Sequence, residues 1–376
     1  MTHRERYTKA LLFQNPDKIP FEPGGPRKST LERWHKEGLP KNANWLEYVC
    51  ETIGVKLSVI DHVPLTLPVF CMIPRFEEKI LEHKNGHYII QDWMGSVLEI
   101  SDKYDYTYIR DAIDFVTRRW IKCPVETRDD WAEMKRRYNA QDPERIKLHS
   151  SEEVKIINQR NSYKGISING PFWQLREWLG FEGLCIAMLE DPDFVAEMIE
   201  FWQDYIQELL SRFLKQGIVL DYIQIFEDMA YKGRSMISPA MTREFILPVY
   251  KKWIRLCAEN GIKIFDLDSD GYVGELIPLW IEGGINVCDP IEVAAYNDII
   301  QYSRLYGEKM AYKGGVDKRA IAAGGMTIEN ELKRLAPLMS GKGGFIPSCD
   351  HGVPNDISLE NYVYYAKLLA KYTGWL

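Results

Sequence analysis

The feature that most constrains the fold is a regular alternation of strand-like and helix-like segments after about residue 164. Short apolar runs rich in β-branched residues are each followed by a longer helical stretch, which is the pattern of βα units around a parallel sheet. Lys18–Glu22 and Val55–Ile60 are candidates for two more strands, which would complete a single (β/α)8 TIM barrel of the α/β class. The six runs are Gly165–Ile168, Asp221–Phe226, Ile262–Leu267, Ile285–Cys288, Met310–Lys313 and Gly344–Pro347.

The segments between these strands carry helix signals. Apolar residues from Phe194 to Leu209 recur at three- and four-residue spacing, and Asp191-Pro192 precedes them. Ser238-Pro239 has the chemistry of an N-cap followed by a first helical residue, and Pro248 is expected to kink the helix that follows. These signals predict helices between consecutive strands.

Residues 70–125 follow a different pattern, in which extended runs are separated by the turn signals Asn85-Gly86 and Met94-Gly95. We interpret this N-terminal segment as an antiparallel β insertion that decorates the barrel and is not a separate domain. A chain of 376 residues is long enough for one decorated barrel, so we predict one domain over residues 1–376.

Composition narrows the function classes. The formal net charge is −7, which argues against a nucleic-acid partner or an anionic membrane surface, because both require a basic footprint. The chain shows no apolar segment typical of a signal peptide and no run of about 18 apolar residues, so we expect a cytoplasmic protein. The seven cysteines form no CxxC pair, which makes a disulfide framework or an all-thiolate zinc site a poor fit.

Polar residues follow the predicted strands at the points where each strand ends. In a (β/α)8 barrel the chemistry belongs at the carboxyl ends of the strands, so these residues are the candidates for a site. They are Asn169-Gly170-Pro171, Glu227-Asp228, Asp268-Ser269-Asp270-Gly271, Asp289-Pro290, Asp317-Lys318 and Cys349-Asp350-His351.

Asp268 and Asp270 stand two apart on an extended chain, so both carboxylates would point to the same side. Two carboxylates held together repel unless one is protonated or a cation lies between them. With His351 from a neighbouring strand end they form a set that suits a divalent metal with open coordination positions. The same Asp-Ser-Asp-Gly sequence is also typical of a turn or a helix N-terminus.

The other strand-end residues have two interpretations each. Glu227 and Asp228 suit a general base or a charge pair at a helix N-terminus. Lys318 and Arg319 suit a clamp for a carboxylate or phosphate, or simple exposed positions after a turn. Cys349 is better interpreted as a buried, inert cysteine than as a nucleophile, because no activating loop surrounds it.

Three further motifs are HGVPNDISLEN at 351–361, KGGVDK at 313–318 and DSDG at 268–271. In these motifs the chain resembles the uroporphyrinogen decarboxylase superfamily, which includes zinc-dependent methyltransferases linked to corrinoid proteins. The resemblance implies a decorated (β/α)8 barrel. True decarboxylases carry an early Arg-Gln-Ala-Gly-Arg-Tyr segment that holds the tetrapyrrole carboxylates, whereas residues 23–38 here offer Arg27 as one substitute. The resemblance therefore does not imply haem synthesis.

In the methyltransferases of this superfamily, zinc is held by a His-x-Cys pair and a later Cys. By this resemblance Asp268 takes the histidine position, Asp270 the first cysteine position and His351 the later cysteine position, with Asp350 supporting His351. Hard oxygen ligands would leave the metal better suited to polarise an ether or carboxylate oxygen of a substrate than to present a thiolate.

The function that this resemblance implies is the transfer of a methyl group from an O- or N-methylated small molecule to the cobalt of a separate corrinoid protein, assisted by zinc. Glu227, Asp228 and Lys318 are the expected catalytic residues. Expected partners are a small-molecule substrate and a corrinoid protein, with a homodimer as a further option. Alternatives are a decarboxylase-like enzyme acting on a small carboxylate held by Lys318 or Arg27, and a non-catalytic binding barrel. The expected substrate-binding residues are Arg27, Asn169, Phe172, Trp173 and Asp317.

Overall fold

The structure is a computed structural model that describes residues 1–58, 60–61, 63–103, 118–339 and 341–376. The chain divides into two compact units. Unit 1 comprises Met1–Leu65, Ser151–Ile168 and Ile218–Leu376, and unit 2 comprises Thr66–Ser150 and Asn169–Gly217. The prediction of one domain stays a prediction, and each unit is described by itself.

The secondary structure alternates as predicted in the second half of the chain. Strands are β1 Lys79–Lys84, β2 His87–Gln91, β3 Val97–Ser101, β4 Arg118–Lys122, β5 Gly165–Asn169, β6 Tyr222–Phe226, β7 Ala230–Tyr231, β8 Arg234–Ser235, β9 Ile264–Asp268, β10 Val287–Ile291, β11 Ala311–Val316 and β12 Phe345–Cys349. Helices are α1 His3–Leu11, α2 Lys28–Lys36, α3 Trp45–Ile53, α4 Arg128–Lys135, α5 Ser151–Asn158, α6 Pro171–Glu190, α7 Pro192–Leu214, α8 Pro239–Met241, α9 Leu247–Glu259, α10 Ile277–Gly283, α11 Ile299–Tyr306, α12 Lys318–Ala323, α13 Gly325–Leu335 and α14 Leu359–Tyr372. Single 3-10 turns span Pro143–Arg145, Val293–Ala295, Gly307–Lys309 and Ala336–Met339, and a π-helical turn spans Thr242–Ile246.

Six strands form one sheet in the order β12-β11-β10-β9-β6-β5. Neighbouring strands from β6 to β12 pair in parallel, and the spatial order follows the chain order. This is the arrangement that successive βα units give, because each crossover returns the chain to the next position in the sheet. The α/β class is confirmed.

The face of this sheet that packs against α1 is apolar at one end and charged at the other. Ile264 of β9 packs with Ala10 and Leu11 of α1, in a cluster that also contains Val287, Ala311 and Ile346. Two residues further along the same strands, and therefore on the same face, lie Asp266, Asp289 and Lys313. Helix α1 thus covers the amino ends of the strands, and polar groups begin in the layer above.

Unit 2 contains the predicted antiparallel insertion. Strands β1 to β4 pair in sequence, and the β1–β2 turn has Asn85 and Gly86 at positive φ (52° and 76°). Ile90, Leu98 and Ile100 form a small buried cluster. Residues 104–117 of the predicted insertion lie outside the described residues.

Two of the predicted strands are not hydrogen-bonded strands in the described part of the chain. In Lys18–Glu22, the Ile19 N–H donates to the carbonyl of Thr373 (3.2 Å) and Pro20 has no N–H to donate, so a ladder does not form. In Val55–Ile60, no strand is assigned to the described positions, and Val59 lies outside them.

The helix start at Ser238-Pro239 is confirmed, because the Ser238 hydroxyl accepts a hydrogen bond from the Met241 N–H (3.1 Å). The kink expected at Pro248 stays a prediction; Pro248 lies at the start of α9, directly after the π-helical turn Thr242–Ile246. Within the described ranges, no helix has the length and apolarity needed to cross a membrane.

Candidate functional site

His351 lies at the carboxyl end of the sheet of unit 1 and connects two other predicted site residues. Its Nε2 is 2.8 Å from Oδ2 of Asp270, and its Nδ1 is 3.0 Å from Nη2 of Arg27. The N–H of Gly352 also donates to Nδ1 (2.7 Å). Because Nδ1 faces two donors, it accepts and Nε2 donates to Asp270. The hydrogen bond that Nε2 donates to Asp270 raises the pKa of His351, whereas burial and the charges of Arg27 and Lys318 oppose this rise.

Arg27 reaches the site because its backbone is tied to the loop after β12. Pro26 and Val353 form an isolated parallel bridge, and the N–H of Arg27 donates to the carbonyl of Val353 (3.1 Å). The Thr30 hydroxyl donates to the same carbonyl (2.7 Å). The segment before α2 therefore fixes a guanidinium beside His351.

The two residues after β6 have different environments. Glu227 is fully buried, and its carboxylate accepts a hydrogen bond from the hydroxyl of Tyr250 (2.7 Å). Asp228 takes a positive φ of 37° and accepts a hydrogen bond from the Asp270 N–H (2.9 Å). Asp228 thus belongs to the group around Asp270, while Glu227 contacts helix α9.

Asp268 ends β9 among other carboxylates. Burial raises its pKa to about 9, and the negative charges of Asp289, Asp266, Asp228 and Asp270 act in the same direction. No hydrogen bond joins its carboxyl group to another side chain in the described residues. The carboxyl is therefore suited to hold a proton at neutral pH or to contact a cation.

The predicted metal ligands are brought to one end of the sheet, but they do not form a closed set. Within the described residues, no three His, Cys, Asp or Glu side chains are grouped so as to hold a metal ion. Asp270 and His351 meet directly, and the Nε2 that would ligate donates to the Asp270 carboxylate instead. Zinc binding by Asp268, Asp270 and His351 therefore requires a rearrangement and stays a prediction.

Lys318 begins α12 and is neutralised by acidic neighbours. Its Nζ lies 2.9 Å from Oε1 of Glu292 and 3.8 Å from Oδ1 of Asp350. The fully buried Asp350 also accepts hydrogen bonds from the N–H groups of Val293 (2.9 Å) and Lys318 (3.2 Å). Burial raises the pKa of Asp350 to about 6. Asp350 thus ties two loops of the site together, and its support of His351 stays a prediction.

Asp317 and Cys349 flank this group. Asp317 caps α12 and forms an ion pair with the exposed Arg319 (2.7 Å). Cys349 is buried, and burial raises the pKa of its thiol to about 12, as expected for an inert cysteine. A side chain at Gly24 would lie 2.8 Å from Cβ of Cys349, so Gly24 permits a close approach here.

The remaining residues that were predicted to bind substrate lie in unit 2. The Asn169 side chain donates to Oε1 of Gln174 (3.1 Å), and its carbonyl accepts from Nε1 of Trp202 (2.9 Å). Phe172 is fully buried, and the Arg176 guanidinium lies 4.3 Å from the ring centre of Trp173. A role for Asn169, Phe172 and Trp173 in substrate binding stays a prediction.

The sequence interpretation missed a charged layer just inside the site. Nζ of Lys313 lies 2.5 Å from Oδ2 of Asp289 and 3.2 Å from Oδ2 of Asp266, and Oδ1 of Asp266 is buried with no hydrogen-bond partner in the described residues. The signal was present, since a lysine within the apolar strand AYKGGV is buried only when paired.

Comparison with known proteins identifies the family to which the chain belongs. Residues 124–372 match the sequence profile of the family described as uroporphyrinogen decarboxylase (URO-D). A methyltransferase from Methanosarcina mazei is 14% identical over 100% of this chain and 98% of that chain, with a TM-score of 0.54, which shows a shared fold. A candidate vitamin-B12-independent methionine synthase from Listeria monocytogenes is 11% identical over 61% and 70% of the two chains, with a TM-score of 0.32. The comparison with curated proteins gives no match.

Proposed function

Because this chain belongs to the uroporphyrinogen decarboxylase family, we propose that it is an enzyme that moves a methyl group from an O- or N-methylated small molecule to the cobalt of a separate corrinoid protein. The observation that carries this proposal is the meeting of Asp270 and His351 from two strand ends, beside the Asp268 carboxyl. These are the positions at which methyltransferases of the superfamily place their zinc ligands. The fold shared with the Methanosarcina mazei methyltransferase is compatible with it.

In this proposal the methyl–heteroatom bond breaks, its electron pair stays on the heteroatom, and the methyl group passes to Co(I) of the acceptor protein, which supplies the electron pair of the new bond. An oxygen leaving group then takes a proton, whereas an ammonium nitrogen leaves as the neutral amine. Asp268 supplies the proton in the first case, because its environment keeps the carboxyl protonated near neutral pH. Asp270 orients the imidazole of His351, and Arg27 fixes its tautomer. Zinc, when bound by the ionised Asp268 and Asp270 and by His351, would polarise the heteroatom as a Lewis acid in place of that proton.

Glu227, Asp228 and Lys318 have supporting roles in this scheme. Asp228 holds the Asp270 backbone, and Glu227 holds the end of β9, since its N–H donates to the Asp268 carbonyl (2.9 Å). Lys318 is paired with Glu292, so it would contact a substrate carboxylate by exchanging that partner. Glu227 and Asp228 are thus positioning residues and Lys318 is a substrate-binding residue in this scheme, and the expectation that the three are catalytic stays a prediction.

We also propose that the six-stranded sheet closes into a barrel with the two segments near the N-terminus. On one edge, Cys349 of β12 donates its N–H to the carbonyl of Pro23 (3.3 Å). Near the other edge, the Asp61 carboxylate accepts hydrogen bonds from the N–H groups of Asn161 (2.6 Å) and Ser162 (3.0 Å), just before β5. Pro23 and Asp61 directly follow Lys18–Glu22 and Val55–Ile60, so these contacts support the two segments as the neighbours of β12 and β5 that close the barrel without forming hydrogen-bonded strands of their own.

The test is methyl transfer to cob(I)alamin, used as a surrogate acceptor. Purified protein, with and without added zinc, is incubated with a panel of methylated amines and methyl ethers, and methylcobalamin is followed by its absorbance. We expect turnover with at least one donor, a kcat reduced on the order of a hundredfold in Asp268→Asn, and no change in the exposed control Glu308→Gln. Release of carbon dioxide from a carboxylate substrate without methylcobalamin would favour the decarboxylase alternative.

A further inference from the structure

Unit 1 contains a cavity next to the residues around His351. This cavity of about 380 Å³ lies against α1, the segment before α2 and the last residues of the chain. This size suits a small organic molecule. Its apolar walls are formed by Tyr7, Phe21, Trp45, Leu46, Leu57 and Trp375.

The cavity adjoins the candidate site. Ser348, which lines it, directly precedes Cys349-Asp350-His351. Pro23 and Gly24 also line it, and both contact Cys349 across the close approach described above. A molecule held in the cavity would therefore lie beside the strand end that carries His351.

Glu22 gives the cavity a negative charge. Its Oε1 accepts a hydrogen bond from the Tyr7 hydroxyl, and no ion pair of Glu22 exists among the described residues. The nearby Lys313 is already paired with Asp266 and Asp289.

The other ionisable groups that line the cavity do not cancel this charge. Arg6 is held by both carboxylate oxygens of Asp17 (2.8 and 2.9 Å). Burial lowers the pKa of His3, with the charges of Arg6 and Lys164 acting in the same direction, so His3 is neutral near pH 7. The cavity thus combines a carboxylate that has no ion pair among the described residues with aromatic walls, of which the Trp375 ring already faces Nζ of Lys18 at 3.8 Å.

We propose that this cavity binds a small organic monocation, an alkylated ammonium, with its charge facing Glu22 and its alkyl groups against the aromatic walls. Aromatic faces attract cations of this kind, and a carboxylate in a desolvated pocket strengthens the attraction. The inference rests on the proposed function and narrows its donor to an N-methylated amine. A methyl ether would place an uncharged ligand against the Glu22 carboxylate.

The experiment compares choline with its uncharged carbon analogue, 3,3-dimethylbutan-1-ol, by isothermal titration calorimetry and by the fluorescence of the tryptophans in the wall. The two probes have nearly the same shape, so the ratio of their dissociation constants reports the charge alone. We expect choline to bind on the order of tenfold more tightly, a difference of about 1.4 kcal/mol.

Three variants test whether the preference for choline arises in this cavity. Glu22→Gln keeps an acceptor for Tyr7 and should remove the preference for choline, while Trp45→Leu should weaken both probes. Glu32→Gln, an exposed change on α2, is the matched control and should leave both affinities unchanged. Circular dichroism melting curves confirm that each variant is folded.

Equal binding of the two probes, no binding of either at about 10 mM, or an unchanged preference in folded Glu22→Gln would overturn the inference. Methyl transfer from an ether by protein that does not select choline would overturn it and leave the proposed function standing. Selective choline binding without methyl transfer from any donor would support the inference about the cavity and count against the proposed function.

Discussion

Lys313 is the residue whose removal should affect stability most. Its ammonium group lies between the carboxylates of Asp266 and Asp289, and the side chain of Asp266 is 4% exposed. Lys313→Met would leave the buried carboxylate of Asp266 and the partly buried carboxylate of Asp289 without their cation, so we expect a loss of about 3–5 kcal/mol in the free energy of unfolding at pH 7. Urea denaturation measures this loss.

The matched control is Lys309→Met, which removes an exposed lysine from the turn before β11. We expect a change of less than about 0.5 kcal/mol for this control. Equal losses in the two variants would contradict an energetic role for the charged layer.

Asp268 should make stability depend on pH. Its pKa is raised to about 9 in the folded protein and is about 3.8 for an ordinary aspartate, so the folded state keeps a proton that the unfolded chain releases within this window. Stability should therefore fall as pH rises from about 4 towards 9.

Asp268→Asn replaces the protonated carboxyl with an amide that does not titrate. The free energy of unfolding of this variant at pH 8 should therefore exceed that of the wild-type protein by about 1–3 kcal/mol. The two proteins should differ little near pH 4. Melting temperatures measured across this range in EDTA test the effect, and parallel pH profiles would refute it.

His351 and Cys349 give opposite expectations for metal binding. His351→Ala removes the only nitrogen from the predicted zinc set, so zinc retained after dialysis should fall at least tenfold in occupancy or affinity. Cys349→Ser should retain zinc, because the buried thiol has a raised pKa. Loss of zinc only in the serine variant would identify the cysteine as the ligand.

Helix α1 should stabilise the sheet through a few apolar contacts. Leu11 is 2% exposed and packs in the cluster that includes Ile264 and Val287. Leu11→Ala would leave a cavity there, so we expect a loss of about 2–4 kcal/mol in urea denaturation. Leu305→Ala, at a position 62% exposed on α11, should cost much less; an equal cost would mean that α1 is not docked as described.

Individual strands and turns could be predicted where the local sequence pattern determines them. Each predicted strand after residue 164 overlaps an observed strand, since apolar runs bounded by turn residues need no distant partner to be recognised. The Asn85-Gly86 turn was equally local. Lys18–Glu22 failed as a strand because its backbone partners, such as Thr373, lie at the far end of the sequence.

The same limit applies to the candidate site. Strand ends indicated Asp270 and His351, and the structure brings them into contact. The contact of Arg27 with His351 depends on a bridge between Pro26 and Val353, which no local pattern encodes. The pairing of Lys313 could have been inferred from its buried strand, but its partners could not be chosen without the sheet register.

For the molecule as a whole, we predict no decarboxylation of uroporphyrinogen. That substrate carries many carboxylates, whereas the chain has a net charge of −7 and offers Arg27 in place of a paired arginine anchor. Purified protein should therefore form no coproporphyrinogen above the blank, with an authentic uroporphyrinogen decarboxylase as positive control. Coproporphyrinogen formed at an enzymatic rate would refute this prediction.

The docking of α1 also affects the order of events during biosynthesis. The helix leaves the ribosome early, but the strands that bury Ala10 and Leu11 include β9 to β12, which are translated much later. Until those strands emerge, the helix has no apolar surface to cover and stays exposed to chaperones and proteases. Docking of α1 should therefore be a late step on the ribosome, because the helix is translated before all of the strands that bury it.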